Sequence, residues 1–258
     1  MTRAFRIVQR NAVVYRRIWR GSLFSSFLQP TLYLMALGFG VGALIDPRRA
    51  AIPGSGSYLQ FLAPGLLTAA CMQVATYESS WPVIGKITWA RNYYAMLATP
   101  IAIDDLVVGE LLWMGIRLTT VGTAFLLVAS SFGVMPIAAA TLLAVPFAVL
   151  TGLAFSAPIM AYAATLKTGE KFNILFRLII TPLFMFSGVF FPIDRLPLPV
   201  QWIAKASPLY HGVQLVRGLT VGDSPDAAVA LMHVTYLVVL LMAGFVAALY
   251  TFRRKLQA

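Results

Sequence analysis

The chain has 258 residues, of which 59% are apolar and 11% are charged. Soluble domains are nearer half apolar and a quarter charged, so this composition excludes an ordinary soluble protein and predicts an integral membrane protein. The net charge of +11 does not indicate nucleic-acid binding, because the basic residues flank apolar runs and form no basic folded domain. A single cysteine, Cys71, excludes an internal disulfide and a cysteine metal cluster.

The N-terminal part combines a basic amphipathic helix with an apolar segment. On a helical wheel, residues 3–20 place most of their arginines on one side and apolar and aromatic residues on the other, which predicts a helix lying in the membrane interface. The first membrane span is predicted over 22–44, since about 20 apolar residues suffice to cross. A polar, Gly/Pro-rich outer loop over 46–57 leads to a second span over 58–79.

The middle of the chain begins with twenty residues that are too polar to span. Residues 81–100 are predicted to be a cytoplasmic excursion that contains a short helix broken at Pro100. The third span is predicted over 106–130. The fourth span is predicted over 136–166 and is interrupted by two prolines.

The C-terminal part contains an amphipathic stretch between two apolar segments. The fifth span is predicted over 172–191 and the sixth over 229–252. Between them, 192–215 is predicted to be an outer re-entrant hairpin, because such backbone is tolerated at membrane depth only where protein or water covers it. The predicted fold class is therefore all-α, with six transmembrane helices. Lys and Arg number thirteen in the inner segments against five in the outer ones, which predicts cytoplasmic termini.

One charged residue falls near the middle of a predicted span. Arg117 costs roughly 2.5–3.5 kcal/mol there on insertion scales, so it requires a carboxylate, a cavity or the interface. Glu110 lies on the same helical face but about 10 Å away along the axis. Glu78, at the inner end of the second span, is the other candidate. We predict that Arg117 pairs with Glu110 or Glu78 inside the membrane and that this pairing is structural.

Motifs for catalysis are missing from the sequence. Gly85-Lys86 has Ser80 where a phosphate-binding loop needs glycine, and no H-E-x-x-H or acidic metal cluster occurs. The chain is therefore not expected to be an enzyme or to hold a metal. A stand-alone proton-coupled carrier is the alternative function, although such a carrier needs ionisable residues along the membrane midplane. A lipid-modifying membrane enzyme is a third possibility and lacks a catalytic cluster.

Four motifs resemble a known family. They are YRRIWR at 15–20, LATPI at 97–101, SGVFFP at 187–192 with Leu-Pro at 196–197, and Ser-Pro-Leu at 207–209 followed by Arg217. With these motifs the whole chain resembles permeases of the type-2 ABC exporter superfamily. It is most similar to the nodulation-protein-J group of lipo-oligosaccharide exporters and to daunorubicin-resistance-type permeases.

The resemblance implies a single transmembrane domain over 1–258, in the bacterial inner membrane. Two such permeases, identical or paralogous, would stand on two copies of a separate ATPase subunit and would export an amphipathic cargo. ATP and magnesium would bind the ATPase, and this chain would bind no cofactor. Membrane lipid is an expected partner and nucleic acid is not.

The resemblance also implies roles for particular segments. Residues 85–99 would be the coupling helix seated on the ATPase, a second contact would follow the fourth span, and the first and fifth spans would line the export path. The expected ATPase-contacting residues are Lys86, Trp89, Arg91, Tyr93, Tyr94, Leu97, Glu170 and Lys171. The expected path residues are Phe27, Tyr33, Phe184, Phe190 and Phe191. The expected outer-gate residues are Pro192, Asp194, Arg195 and Trp202.

Overall fold

The structure is a computed structural model that describes residues 2–36, 58–136, 138–221 and 226–257; a few side chains of the first helix, Phe27 among them, lie outside the described part. The predicted outer loop over 46–57 and the end of the first span also lie outside it. Four described stretches are long and apolar enough to cross a membrane: Tyr58–Thr88, Ile103–Ser131, Ala139–Thr165 and Ala227–Leu256. The chain is accordingly a helical integral membrane protein.

The first helix, α1 (Thr2–Met35), is continuous, which corrects the prediction of a separate interface helix followed by a span. Gly21 between the two predicted parts has open space around it, and the helix continues through it. The N-terminal half of α1 packs along α5 (Ile103–Ser131). A methyl group added at Gly109 would lie 2.7 Å from Ile7 Cβ, so the two backbones approach closely there.

The next helices follow the predicted order with different breaks. α2 (Tyr58–Glu78) ends at Ser79-Ser80, and α3 (Trp81–Thr88) and α4 (Asn92–Leu97) follow. The predicted coupling helix over 85–99 is thus two short helices. The reason is local, because Arg91 adopts a left-handed conformation (φ 46°) between them.

The central helix is α6 (Ala139–Thr165), which packs against α2, α5, α9 (Pro208–Val221) and α10 (Ala227–Leu256). It runs through Pro146 and Pro158 without ending, so the predicted interruption at these prolines is wrong. Small residues at the contacts allow the backbones of neighbouring helices to approach closely, as is usual between membrane helices. The hydroxyls of Ser79 and Ser156 lie 2.7 Å apart and join α2 to α6.

The predicted fifth span is shorter than expected. Helix α7 (170–186) consists of Glu170–Leu175, a π-helical turn Phe176–Ile180, and Thr181–Phe186. At about 1.5 Å per residue it extends roughly 25 Å, less than the hydrocarbon thickness of about 30 Å. The prediction to residue 191 is corrected because Gly188 adopts φ +80°, which is incompatible with a right-handed helix.

The predicted hairpin over 192–215 contains a 3-10 turn, Ile193–Arg195, and α8 (Leu198–Lys205). Its second arm is α9, which extends beyond the predicted end to Val221. Most of the core-facing side of α9 is buried against α2 and α6. Whether this segment re-enters the membrane stays a prediction.

Replacing Gly244 by alanine is expected to weaken the α6–α10 contact. The added methyl group would lie 2.5 Å from Pro158 Cδ and 2.6 Å from Pro158 N, and the proline ring and backbone have little freedom to move. Overpacking of this kind costs about 1–3 kcal/mol. Thermal unfolding in detergent measures the change. Gly115→Ala is the matched control, since nothing lies within 4 Å of its added methyl group, and equal behaviour of the two variants would contradict the packing described here.

Candidate functional site

A small surface at the turn between α3 and α4 presents aromatic and basic side chains outward. Trp89 is 71% exposed, the largest such value among the neighbouring apolar residues, and Arg91 and Tyr94 are exposed beside it. We call these three residues the α3–α4 surface. Exposed aromatic side chains with an adjacent arginine are typical of protein–protein contact sites.

The inner side of the same two helices packs against the core of the helix bundle. Tyr93 is fully buried, with its ring 5.8 Å from that of Phe252 on α10. Burial raises the pKa of Tyr93 well above 10, and the nearby Glu110 carboxylate raises it further, so the phenol stays neutral. Ile84 and Ile87 are buried with it. The α3–α4 surface therefore rests on a rigid support.

An ion pair joins α3 to α5. Lys86 Nζ donates to both oxygens of Glu110 at 2.7 and 2.9 Å, and the Glu110 side chain is buried. At the C-terminus, Arg253 bonds both oxygens of Asp104 at 2.7 and 2.8 Å. The Tyr94 hydroxyl donates to the Lys255 carbonyl at 3.4 Å. These contacts join α3–α4 to α5 and α10.

Three of the sequence-predicted contact residues make contacts within the chain, and their role toward a partner stays a prediction. Tyr93 lies beneath the surface because its ring fills the core, Lys86 is held by Glu110, and Leu97 is partly buried against the same cluster. Glu170 and Lys171 are exposed at the start of α7. The Trp81 ring lies 5.3 Å from Phe172 and 5.0 Å from Phe176, which connects this second exposed point to α3.

Arg117 lies in α5 beside Glu78 and Tyr15. Its Nη2 donates to Glu78 Oε1 at 2.8 Å, its Nε donates to the same oxygen at 3.2 Å, and its Nη1 donates to the Tyr15 hydroxyl at 2.8 Å. Of the two carboxylates considered from the sequence, Glu78 is the one in contact, and Glu110 is engaged by Lys86. The arginine joins α1, α2 and α5.

Three of the candidate path residues, Tyr33, Phe184 and Phe190, have described neighbours among aromatic side chains. Tyr33 and Phe184 border a space of about 10 Å³ shared with Phe125. The rings of Phe184 and Phe190 lie edge to face at 5.0 Å, and Phe191 is half-buried. Among the described side chains, little space remains between Tyr33 and Phe184.

The candidate outer-gate residues lie around the turn that follows α7. Asp194 and Arg195 are exposed, Pro192 is half-buried, and Trp202 is 74% exposed. The turn is held from behind by Ser187, whose hydroxyl donates to that of Ser207 at 2.8 Å.

Arg217 is the second support of this turn. Its Nη2 donates to the Gly188 carbonyl at 2.9 Å and to the Phe61 carbonyl at 3.3 Å, and its guanidinium lies 3.9 Å from the Phe61 ring centroid. The arginine therefore fastens the turn after α7 to α2. The sequence motif contained Arg217, but nothing in the spacing indicated these partners.

A histidine pair was missed from the sequence. The Nδ1 atoms of His211 on α9 and His233 on α10 lie 2.6 Å apart, and both side chains are buried. His211 stacks on Tyr236 at 3.9 Å, and the Tyr236 hydroxyl donates to the Ala206 carbonyl at 2.6 Å. Polar residues within apolar helices were the available signal, because they require a partner there.

Comparison with known proteins identifies the family. Residues 2–221 match the sequence profile of the family described as ABC-2 type transporter. The chain belongs to this family. Members are membrane components that work with a separate ABC ATPase subunit.

Several curated relatives of this ABC-2 chain share nearly its whole length. Nodulation protein J of Rhizobium leguminosarum bv. viciae is 32% identical over 249 residues, which is 96% of this chain and 93% of the relative. Nodulation protein J of Rhizobium meliloti is 30% identical, with 96% and 92% covered. The inner membrane transport permease YadH of Escherichia coli is 24% identical, with 79% and 77% covered.

Proposed function

We propose that this chain is the permease subunit of an ATP-driven exporter, in which two permeases with six spans each stand on two ATPase subunits. Binding of ATP closes the ATPase pair, and the α3–α4 surface passes this movement into the membrane. The chain itself hydrolyses nothing. Membership of the ABC-2 family supports the class of protein, and the arrangement of the α3–α4 surface supports the mode of coupling.

The observation that carries the proposal is the contrast between the two sides of α3 and α4. The outer side exposes Trp89, Arg91 and Tyr94, and the inner side is fixed through Lys86–Glu110 and through Tyr93 against Phe252. Because the support is rigid, a push on the outer side displaces α5 and α10 with it. A flexible loop with the same exposed residues would absorb the movement.

The proposed orientation places this end of the bundle in the cytoplasm of a bacterium. The predicted cytoplasmic segments, which carry most of the Lys and Arg residues, meet at this end of the bundle. Arg253 donates a hydrogen bond to Asp104, and the Tyr94 hydroxyl donates one to the backbone carbonyl of Lys255. The excess of basic residues on cytoplasmic segments supports the assignment. The outer-gate residues, from Pro192 to Trp202, then face the opposite side.

The proposed cargo is amphipathic: a lipo-oligosaccharide, a glycolipid, a lipid-linked polysaccharide or a hydrophobic drug. The similarity to Nodulation protein J over nearly the full length supports the saccharide classes. The aromatic residues between α1 and α7 provide faces that suit sugar rings or acyl chains, although in one chain they are packed together. Opening of the path between these helices is the step driven by the ATPase.

Reconstitution tests the proposal. The chain is expressed with a candidate ABC ATPase from the same organism, purified, and placed in vesicles with a fluorescent lipid-linked oligosaccharide. We expect the ATPase to remain bound in detergent and the cargo to cross only when ATP is hydrolysed. Transport by the chain alone, driven by a proton gradient, would contradict the proposal and support the stand-alone carrier.

A further inference from the structure

A basic groove lies between the first turns of α1 and the end of α4. It consists of two adjoining cavities of about 500 and 330 Å³ that share Arg6, Thr99 and Ile101. Arg3 lines the larger cavity, and Arg10 lines the smaller one. We call this the arginine groove.

The charge of the groove is not neutralised within the described part of the chain. Arg3 and Arg6 are exposed and carry no ion pair there. The two carboxylates that follow in sequence are engaged, since Asp104 bonds Arg253 and Asp105 accepts a hydrogen bond from the Ala102 N–H at 3.1 Å. The groove therefore attracts an anion.

Arg10 lies in the smaller of the two cavities. Its Nη1 donates to Asn11 Oδ1 at 3.0 Å. Its Nη2 donates to the side-chain oxygen of Asn92 at 2.9 Å, with the Asn92 amide oriented to satisfy both of its neighbours. The groove therefore contains one guanidinium held by neighbouring side chains, that of Arg10, and two exposed ones, those of Arg3 and Arg6.

The floor of the groove is apolar, which argues for a lipid. Ile7, Met96 and Ile101 line it beneath the arginines. The same helix also carries large exposed apolar residues, among them Phe5 and Val13. An acidic protein segment needs no apolar floor, whereas a phospholipid presents a phosphate above the start of its acyl chains. Basic pockets beside membrane helices on the cytoplasmic side bind such headgroups.

We propose that the arginine groove binds the headgroup of an anionic phospholipid of the inner leaflet, with its phosphate between Arg3, Arg6 and Arg10. The start of the acyl chains lies against Met96 and Ile101. A bound lipid would thereby bridge α1 and α4, next to the α3–α4 surface. The lipid is thus a ligand at a defined site as well as a general solvent for the protein.

Lipid binding to the purified full-length chain tests the proposal without the ATPase, so its failure is separate from failure of the exporter assignment. Cardiolipin retained in detergent is measured by native mass spectrometry, with phosphatidylcholine as the neutral lipid. We expect Arg3→Gln/Arg6→Gln to weaken cardiolipin binding about thirtyfold, from the usual contribution of a basic residue near anionic lipid. Arg3→Lys/Arg6→Lys should retain most of the binding.

The matched control is Arg16→Gln/Arg17→Gln, which removes the same charge from exposed positions of the same helix. We expect it to change cardiolipin binding less than threefold. An equal loss of cardiolipin binding in both double variants would mean that the effect is general electrostatic attraction to the helix, and it would overturn the proposal. Displacement of cardiolipin by inorganic phosphate alone would overturn the role of the apolar floor. Unchanged cardiolipin binding by Arg3→Gln/Arg6→Gln would also overturn the proposal.

Discussion

Replacing Trp89 and Tyr94 together by alanine is expected to abolish ATP-driven export while the chain still folds. Truncating a central aromatic residue of an interface costs about 2 kcal/mol, so losing two weakens ATPase binding by roughly a thousandfold. Retention of the ATPase during detergent purification and ATP-dependent transport in vesicles measure the effect. Both readouts should fall together, because the same surface provides affinity and passes the movement.

The fold should survive this change because the removed groups are outside the core. Trp89 is 71% exposed, and Tyr94 gives up only its 3.4 Å hydrogen bond to Lys255. The matched control is Trp202→Ala, which removes a 74% exposed indole from the opposite end of the bundle. It should leave ATPase binding unchanged. Normal ATPase retention by the Trp89/Tyr94 variant, with normal transport, would contradict the role of the α3–α4 surface.

Replacing Glu78 by glutamine is expected to destabilise the chain by about 3 kcal/mol, because it leaves the buried Arg117 without a countercharge. The Arg117 side chain is 9% exposed and that of Glu78 is 25% exposed, so the reverse loss is milder. Arg117→Met leaves a carboxylate that can still reach water. Unfolding in detergent by heat or denaturant ranks the stabilities of the variants, and we expect Glu78→Gln to be the least stable.

The double variant Arg117→Met/Glu78→Gln should be about as stable as Arg117→Met alone, since no unpaired charge remains. Asp104→Asn is the control, because its pair with Arg253 is 53% exposed on both sides and is worth less than about 1 kcal/mol. A cost for Glu78→Gln no larger than that of Asp104→Asn would contradict the account. Normal transport by a folded double variant would fit a structural pair, and its loss would indicate a further role in the path.

Much of the helical order could be predicted because long apolar runs dominate their own structure. The second, third, fourth and sixth segments match the observed helices to within a few residues. The joins were predicted less well. A change from basic to apolar residues at Arg20–Ser22 suggested two elements, but a helix continues through such a change when nothing interrupts its hydrogen bonds.

Side-chain partners were the part that the sequence predicts least. Helical spacing restricted the ion-pair partner of Arg117 to Glu110 or Glu78. Only the packing of α3 on α5 shows that Glu110 pairs with Lys86 and that Arg117 pairs with Glu78. Tyr93 and Tyr94 are neighbours of the same type, and the turn at Arg91 decides that one is buried and the other exposed. His211 and His233 meet only because α9 folds back against α10.

The orientation of the α3–α4 surface is the most direct test of the account. Cys71 is the only cysteine and is fully buried, so a cysteine introduced at Trp89 or Trp202 can be labelled against a low background. A membrane-impermeant maleimide added to intact spheroplasts should label Trp202→Cys at once and Trp89→Cys only after the membrane is opened. Labelling of Trp89→Cys from outside the intact cell would contradict the coupling of this surface to a cytoplasmic ATPase.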